Sequence, residues 1–240
     1  MVPENSQSEQ LSQHVVLSVI VPTYMEKESI NELIDRIESS LERLPFEVIV
    51  VDDSSPDGTA ERAEDLNMRY GNIEVIKREA KFGLSSAVLD GFKKAGAEVL
   101  GVMDADLQHP PELLPEMYGK IRDGYDLVVA SRYVEGGETE GLGFGRKIVS
   151  RSATALAHFL LPGTRRVRDV VSGFFMLRRS VIESVELRPV GDKILLEIVV
   201  RGKYDSVAEV PYTFKPRRSG KSSLNLREIW NYMVHIWRLL

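Results

Sequence analysis

The sequence predicts an α/β domain built on a mostly parallel sheet with helices on both faces, and three observations predict it. Short β-rich runs alternate with amphipathic segments along the N-terminal half. The intervening segments have the length of crossover helices, which join parallel strands. Acidic residues gather just past the runs, where open sheets of this kind bind ligands.

The elements follow in order. Leu17 to Val21 reads as a strand closed by Pro22, and from Lys27 to Leu44 the residues Ile30, Leu33, Ile34, Ile37 and Leu41 recur at helical spacing. Phe46 to Val51 is a second strand leading into Asp52 and Asp53. Asp57 is placed to cap a helix that runs to Tyr70 and stops at Gly71. Ile73 to Ile76 is a third strand, Leu84 to Ala95 a helix ended by Gly96, and Val99 to Met103 a fourth strand running into Asp104. A helix after Pro110 and Pro111 continues through Ile121, and Leu127 to Ala130 is the next strand.

The second half is less regular. Ile148 to Leu161 reads as a helix, Ser172 to Leu177 and Val207 to Thr213 as strands, and Asn225 to Leu240 as an amphipathic C-terminal helix. Ile194 to Val200 fits helix or strand, with Leu195, Ile198 and Val199 favouring helix. This divides the chain into a disordered polar tail, 1–15, and one α/β domain, 16–240.

Composition narrows the function classes. The net charge of −5 disfavours a nucleic-acid partner, so any anion site must come from local clustering. Such a cluster exists: between Gly141 and Arg168 there are six Lys or Arg and no Asp or Glu. This basic segment, 141–168, carries Phe159, Leu160 and Leu161 beside its charges, a combination that suits an anionic membrane surface as well as a solvated helix face. No cysteine is present, which excludes disulfides and thiolate zinc sites and fits a reducing compartment. The start of the chain lacks the pattern of a secretory signal, and no apolar run is long enough to span a bilayer.

The stretch Val102-Met-Asp-Ala-Asp-Leu-Gln-His-Pro-Pro111 carries the sharpest chemistry. Alternate residues of an extended chain face one way, so Asp104, Asp106 and Gln108 are expected to converge on one hard cation. An aspartyl-phosphate phosphatase loop also begins Asp-x-Asp, but it follows a first strand and ends in Thr or Val rather than Gln108. The NAD fingerprint is missing after the first strand, Gly141-Leu-Gly-Phe-Gly145 follows no strand, and Gly220-Lys-Ser222 lacks the upstream glycine of a phosphate loop. His109, between Gln108 and Pro110, reads as a structural turn residue rather than a ligand, since hard ions prefer oxygen. Arg146 and Ser150, four apart on one helix face, could grip a phosphate together. For Trp230 and Trp237 on the last helix, core burial is the default and anchoring at a membrane interface the alternative.

Val21-Pro-Thr-Tyr-Met-Glu26, Val50-Val-Asp-Asp-Ser-Ser-Pro-Asp57, the Asp104 stretch, Ser131-Arg-Tyr133, Arg146-Lys-Ile-Val-Ser-Arg151 and Val171-Ser-Gly-Phe-Phe175 occur in that order. Together they resemble the polyprenyl-phosphate (dolichol-phosphate) mannose synthases of glycosyltransferase family 2, from about Leu17 onward. The resemblance implies a Rossmann-like GT-A fold and inverting transfer of mannose from GDP-mannose to a polyprenyl or dolichol phosphate. It implies that Pro22, Tyr24, Glu26, Asp52, Asp53 and Ala105, with Arg132, bind the nucleotide, and that Asp104, Asp106 and Gln108 hold Mg²⁺ or Mn²⁺. Arg132, Arg146, Ser150 and Arg217 would serve the phosphates and the acceptor. Some relatives carry a third acidic residue where Ser54 stands here. Several continue into transmembrane helices, which implies either a peripheral enzyme at the cytoplasmic face of a membrane or the catalytic part of an anchored one. A UDP-glucose-dependent sister activity and a non-catalytic nucleotide-sugar or membrane-binding module are the competing readings.

Overall fold

The inner strands of the central sheet are largely apolar on both faces because both faces are covered. A computed structural model describes residues 15–140, 144–215 and 226–240, the side chains of 144–148 and 226 excepted. The strands are β1 (Leu17–Thr23), β2 (Phe46–Asp52), β3 (Ile73–Lys77), β4 (Val99–Val102), β5 (Leu127–Ser131), β6 (Glu138–Thr139), β7 (Phe175–Arg178), β8 (Val207–Pro211) and β9 (Thr213–Phe214). The helices are α1 (Ile30–Leu41), α2 (Thr59–Tyr70), α3 (Leu84–Lys94), α4 (Leu114–Arg122), α5 (Phe144–Leu160), α6 (Ser180–Glu183), α7 (Ile194–Arg201) and α8 (Leu226–Leu239). Seven strands form one sheet in the order β3-β2-β1-β4-β7-β5-β8, and β6 pairs with β9 at its margin.

Alternation within the strands sorts the core into two layers. Val19, Val21, Val48 and Val50 pack with α1, α4 and part of α2, whereas Ile20, Ile49 and Val51 pack with α3, α5, α7 and α8. The five residues expected to face inward from α1 are the five it buries. Each such aliphatic side chain contributes about 1.5–3 kcal/mol by leaving water. Helix α3 lies so close on β1 that a Cβ on Gly91 would fall 2.5 Å from Ile20 Cγ2. Gly71 ends α2 with φ at 77°, as its position predicts. Asp57 is less simple: its Oδ1 accepts the Thr59 N–H at 3.1 Å, but the capping position itself is Gly58. The ambiguous segment around Leu195 is helical, and it buries all five of its Ile, Leu and Val residues through Val199.

Strand β7 departs from the parallel pattern. It runs antiparallel between β4 and β5, with Phe175 opposite both Val102 and Val129. Its reversal decides the site, because the start of an antiparallel strand lies at the edge where its parallel neighbours end. The loop 171–174 is thereby delivered beside the end of β4.

Helix α8 rests on the second layer through buried Ile236, a Tyr232 hydroxyl donating to the Ala153 carbonyl at 2.7 Å, and His235 Nε2 lying 3.0 Å from Glu197 Oε2. Its tryptophans overturn the default of core burial: Trp230 is 70% and Trp237 76% exposed. The helix docks by the opposite face, so both indoles point away from the core.

Candidate active site

Three loops leave the carboxyl edge through a non-glycine residue in the left-handed region: Met25 after β1 (φ 58°), Ser54 after β2 (φ 63°) and Leu107 after β4 (φ 61°). Such conformations cost on the order of 1–3 kcal/mol each and gather where surrounding contacts enforce them, commonly at functional sites. Here the enforcing contacts are visible.

Asp52 holds the first two loops together. Its Oδ1 accepts the Thr23 hydroxyl at 3.0 Å and the Ser55 hydroxyl at 2.6 Å, and its Oδ2 accepts the Ser55 N–H at 2.8 Å. Ser55 Oγ in turn accepts the Met25 N–H at 2.9 Å. Asp53 is as deeply engaged: Oδ1 accepts Arg78 Nη1 at 2.7 Å and the Phe82 N–H at 2.9 Å, and Oδ2 accepts the Gly83 N–H at 2.8 Å. A carboxylate offers about four acceptor positions, so most of each is consumed within the protein. Both aspartates therefore sit at the expected place, with their oxygens shaping loops first. Around them Tyr24, Met25 and Phe82 are exposed, and Lys81 Nζ stands 3.3 Å from the Tyr24 ring centroid. Flat and apolar surface beside bound carboxylates is suited to stacking a base. Pro22 and Ala105 are buried behind this shelf, and Glu26 Oε2 accepts the Ser29 hydroxyl at 2.6 Å at the entrance to α1.

The Asp104 stretch is a bent loop, which corrects the expectation of an extended one: strand β4 stops at Val102, and Leu107 turns left-handed. Alternation is therefore not what aligns its side chains. The loop is instead tied to itself and its surroundings. Asp106 Oδ1 accepts the Gln108 N–H at 3.1 Å, and Gln108 Nε2 donates to the Lys215 carbonyl at 2.8 Å. The Asp104 N–H donates to His109 Nδ1 at 3.1 Å, which leaves the proton of a neutral imidazole on Nε2. Burial pushes the His109 pKa down to about 4, so the ring is neutral at physiological pH. It stacks on Phe174 at 5.5 Å, with Tyr212 and Phe214 edge-on. His109 is thus the structural residue its setting predicts.

Gly173, from the loop that β7 delivers, completes the enclosure. A Cβ there would lie 2.7 Å from Asp104 Oδ2 and 3.1 Å from His109 Cε1. The donor chemistry of Asp104, Asp106 and Gln108 is all oxygen, which fits a hard divalent ion. Among the described residues no group of three or more His, Asp or Glu side chains could hold an ion. Two carboxylates and an amide would need further oxygens, of the kind a diphosphate brings.

Arg132 is placed differently from its expected service to phosphates. Its Nε and Nη2 donate to the two oxygens of Asp169, each at 2.7 Å, and its backbone N–H adds a third bond at 3.1 Å. Desolvation by burial works against the guanidinium, yet the Asp169 hydrogen bonds and charge outweigh it and hold its pKa above the ordinary value. Glu209 of β8 fixes the partner in turn, accepting the Arg168 and Asp169 N–H groups at 2.8 and 3.2 Å. No local spacing marks Asp169, Glu209 or Arg78, because their partners lie far away in the chain. Ser150 is on α5, its Oγ 2.7 Å from the Tyr133 hydroxyl. Arg146 shares that helix, its side chain outside the described residues, as are Arg217 and the segments 141–143 and 220–222.

The profile described as glycosyl transferase family 2 matches residues 18–186. The chain belongs to that family. A dolichol-phosphate mannosyltransferase of Pyrococcus furiosus is 49% identical over 93% of this chain, which spans 63% of that relative's length. A protein of the same name from Saccharomyces cerevisiae is 35% identical over 92% of the chain and 86% of its own. Among solved structures, glucosyl-3-phosphoglycerate synthase of Mycobacterium tuberculosis with Mn²⁺, UDP-glucose and phosphoglyceric acid superposes with a TM-score of 0.70. At 20% identity, covering 94% of this chain and 78% of that one, it confirms the GT-A architecture.

Proposed function

We propose that this chain transfers mannose from GDP-mannose to a polyprenyl phosphate of the dolichol type, with inversion at the anomeric carbon, yielding polyprenyl-phosphate mannose and GDP. The observation that carries the reading is a carboxylate-bearing loop at the sheet's carboxyl edge, in a chain 49% identical over 93% of its length to a dolichol-phosphate mannosyltransferase and carrying a basic segment, 141–168, free of acidic residues.

Asp104, Asp106 and Gln108 would hold Mg²⁺ or Mn²⁺, which when bound neutralises the diphosphate and makes it a better leaving group. Tyr24 and Phe82 flank the nucleoside, while Asp52 and Asp53 keep the loops in shape for it. A sugar hydroxyl acceptor would need a base, but a lipid phosphate is already an anion at neutral pH, its second pKa being near ~6. The protein then has to position that anion and offset its repulsion from the donor. Arg146, Arg217 and Ser150 are suited to this task, the arginines because they stay charged and bind oxygens in pairs. Arg146→Ala should lower transfer by about 10²–10³-fold and leave GDP affinity nearly intact. An essential Asp or Glu elsewhere, deprotonating in the rate–pH profile, would refute the base-free mechanism.

A membrane surface is the natural place to meet such an acceptor. The outward side of α8 presents Ile229, Trp230, Met233 and Trp237 to solvent, with Leu240 just past its end, an apolar stripe of interfacial type. Among the described residues no helix is long and apolar enough to cross a membrane. Peripheral attachment at the cytoplasmic leaflet is the arrangement proposed. The deciding experiment is a transfer assay crossing GDP-mannose and UDP-glucose with polyprenyl phosphate and a water-soluble alcohol. Turnover only with GDP-mannose and the lipid phosphate is expected; preference for UDP-glucose would replace the donor, and no transfer at all would sink the enzyme reading.

A further inference from the structure

Beside the Arg132–Asp169 pair, a cleft of about 470 Å³ opens between the loop after β5 and helix α5. Its lining includes Arg151, Thr154 and His158 from one side of α5, with Arg168 across from them, and no Asp or Glu. The cations here are in unequal circumstances. Arg132 is met by Asp169; Arg165 Nε donates to the His158 carbonyl at 2.9 Å, and Arg166 donates to the Asp205 carbonyl. Among the described residues the Arg151 and Arg168 guanidinium groups have neither an ion-pair nor a hydrogen-bond partner. Thr154 adds a second, independent observation: it is 7% exposed and its hydroxyl is buried with no hydrogen-bond partner. A buried hydroxyl without a partner costs free energy, and the Arg151 and Arg168 guanidinium groups are solvent-exposed at the same cleft, where an incoming anion can reach them. One bound anion would give the hydroxyl a partner and both cations a counter-charge. His158 Nε2 lies 2.9 Å from the Val167 carbonyl, so that nitrogen carries a proton and the ring is oriented rather than free to turn.

We infer that Arg151, Arg168 and Thr154 form a second anion subsite that holds a phosphate ester. Paired guanidinium donors fit phosphate oxygens, and the hydroxyl can donate a third bond. The cleft is too large for phosphate alone, and Val134, Gly137 and Ala155 give it uncharged walls that accommodate the organic part of an ester. The subsite goes beyond the proposed function, since none of its three residues belongs to the set expected at the transfer centre. A phosphate ester could reach it as the acceptor lipid or as the headgroup of a bilayer phospholipid.

The test is calorimetric titration of the full chain with farnesyl phosphate and with glycerol 1-phosphate, each against inorganic phosphate as competitor. Saturable binding is expected, weakened at least tenfold by Arg151→Gln or Arg168→Gln and several-fold by Thr154→Val, in line with losing one charge-assisted or one neutral hydrogen bond. Arg165→Gln makes the same charge change outside the lining and should leave affinity unchanged. Tighter binding of farnesyl phosphate assigns the subsite to the acceptor lipid, and tighter binding of glycerol 1-phosphate to a bilayer headgroup. Absent binding, or equal weakening by Arg165→Gln and the two cleft variants, overturns the inference. GDP titrated in parallel reads the donor site and Arg146→Ala reads the transfer centre, so phosphate-ester binding that is weakened by Arg146→Ala but untouched by Arg151→Gln and Arg168→Gln would sink the subsite alone.

Discussion

Asp169→Asn should be among the most damaging single-atom changes available in this protein. The Asp169 carboxylate is 0% exposed and receives three N–H groups of Arg132, whose own side chain is only 9% exposed. The asparagine amide keeps one oxygen and sets an NH₂ group against a donor, leaving a buried guanidinium without its counter-charge. Removing one partner of a buried pair costs about 3–5 kcal/mol, against a total stability of roughly 5–15 kcal/mol for a domain. With a urea dependence of about 1–3 kcal/mol per molar, the unfolding midpoint should fall by roughly 1–5 M at unchanged slope. Replacing both residues together, Asp169→Leu with Arg132→Met, should recover most of that loss because no charge is then stranded. The assay is equilibrium urea unfolding followed by circular dichroism. A loss under about 1 kcal/mol for Asp169→Asn, the range of an exposed ion pair, would refute the claim that this pair is buried and structural.

Gly173→Ala tests the crowding around Asp104: its Cβ would sit 2.7 Å from Asp104 Oδ2. Stability should drop by about 1–3 kcal/mol, typical of overpacking, and Mn²⁺-dependent nucleotide binding should weaken more than tenfold; intact binding would mean that the loop yields freely. Asp106→Ala should abolish transfer with little change in far-ultraviolet dichroism, and transfer that survives a chelator would rule out the proposed ion. Trp230→Ser with Trp237→Ser should reduce co-sedimentation with phosphatidylglycerol vesicles several-fold. For the parent chain that binding should also fall with salt, whose screening length is about 10 Å at 0.1 M; salt-independent binding unaffected by the tryptophans would count against a membrane role for α8.

Local pattern was enough wherever a residue's fate depends on its neighbours in sequence. Period 3.6 in α1 and near-continuous apolar runs in β1 and β2 follow from which faces must leave water, and the buried residues match them. The ends of those strands also showed where the site would be, because a parallel sheet gathers its carboxyl ends on one edge. The motifs marked Asp52, Asp53, Asp104 and Asp106 for that edge, and the structure puts them there. What those carboxylates do was decided by tertiary contacts: Asp53 meets Arg78 and Asp169 meets Arg132 across 25 and 37 residues of chain. The direction of β7 was equally hidden, since an apolar run reads the same both ways, yet that direction brings Gly173 against Asp104. The tryptophans of α8 show the same limit. A helix apolar around much of its circumference does not reveal which side will dock, and here the Glu197–His235 contact and Ile236 took the inner face and left both indoles outside. Sequence fixes periodicity and chemistry locally, but pairing across long loops is chosen only when the whole chain has packed.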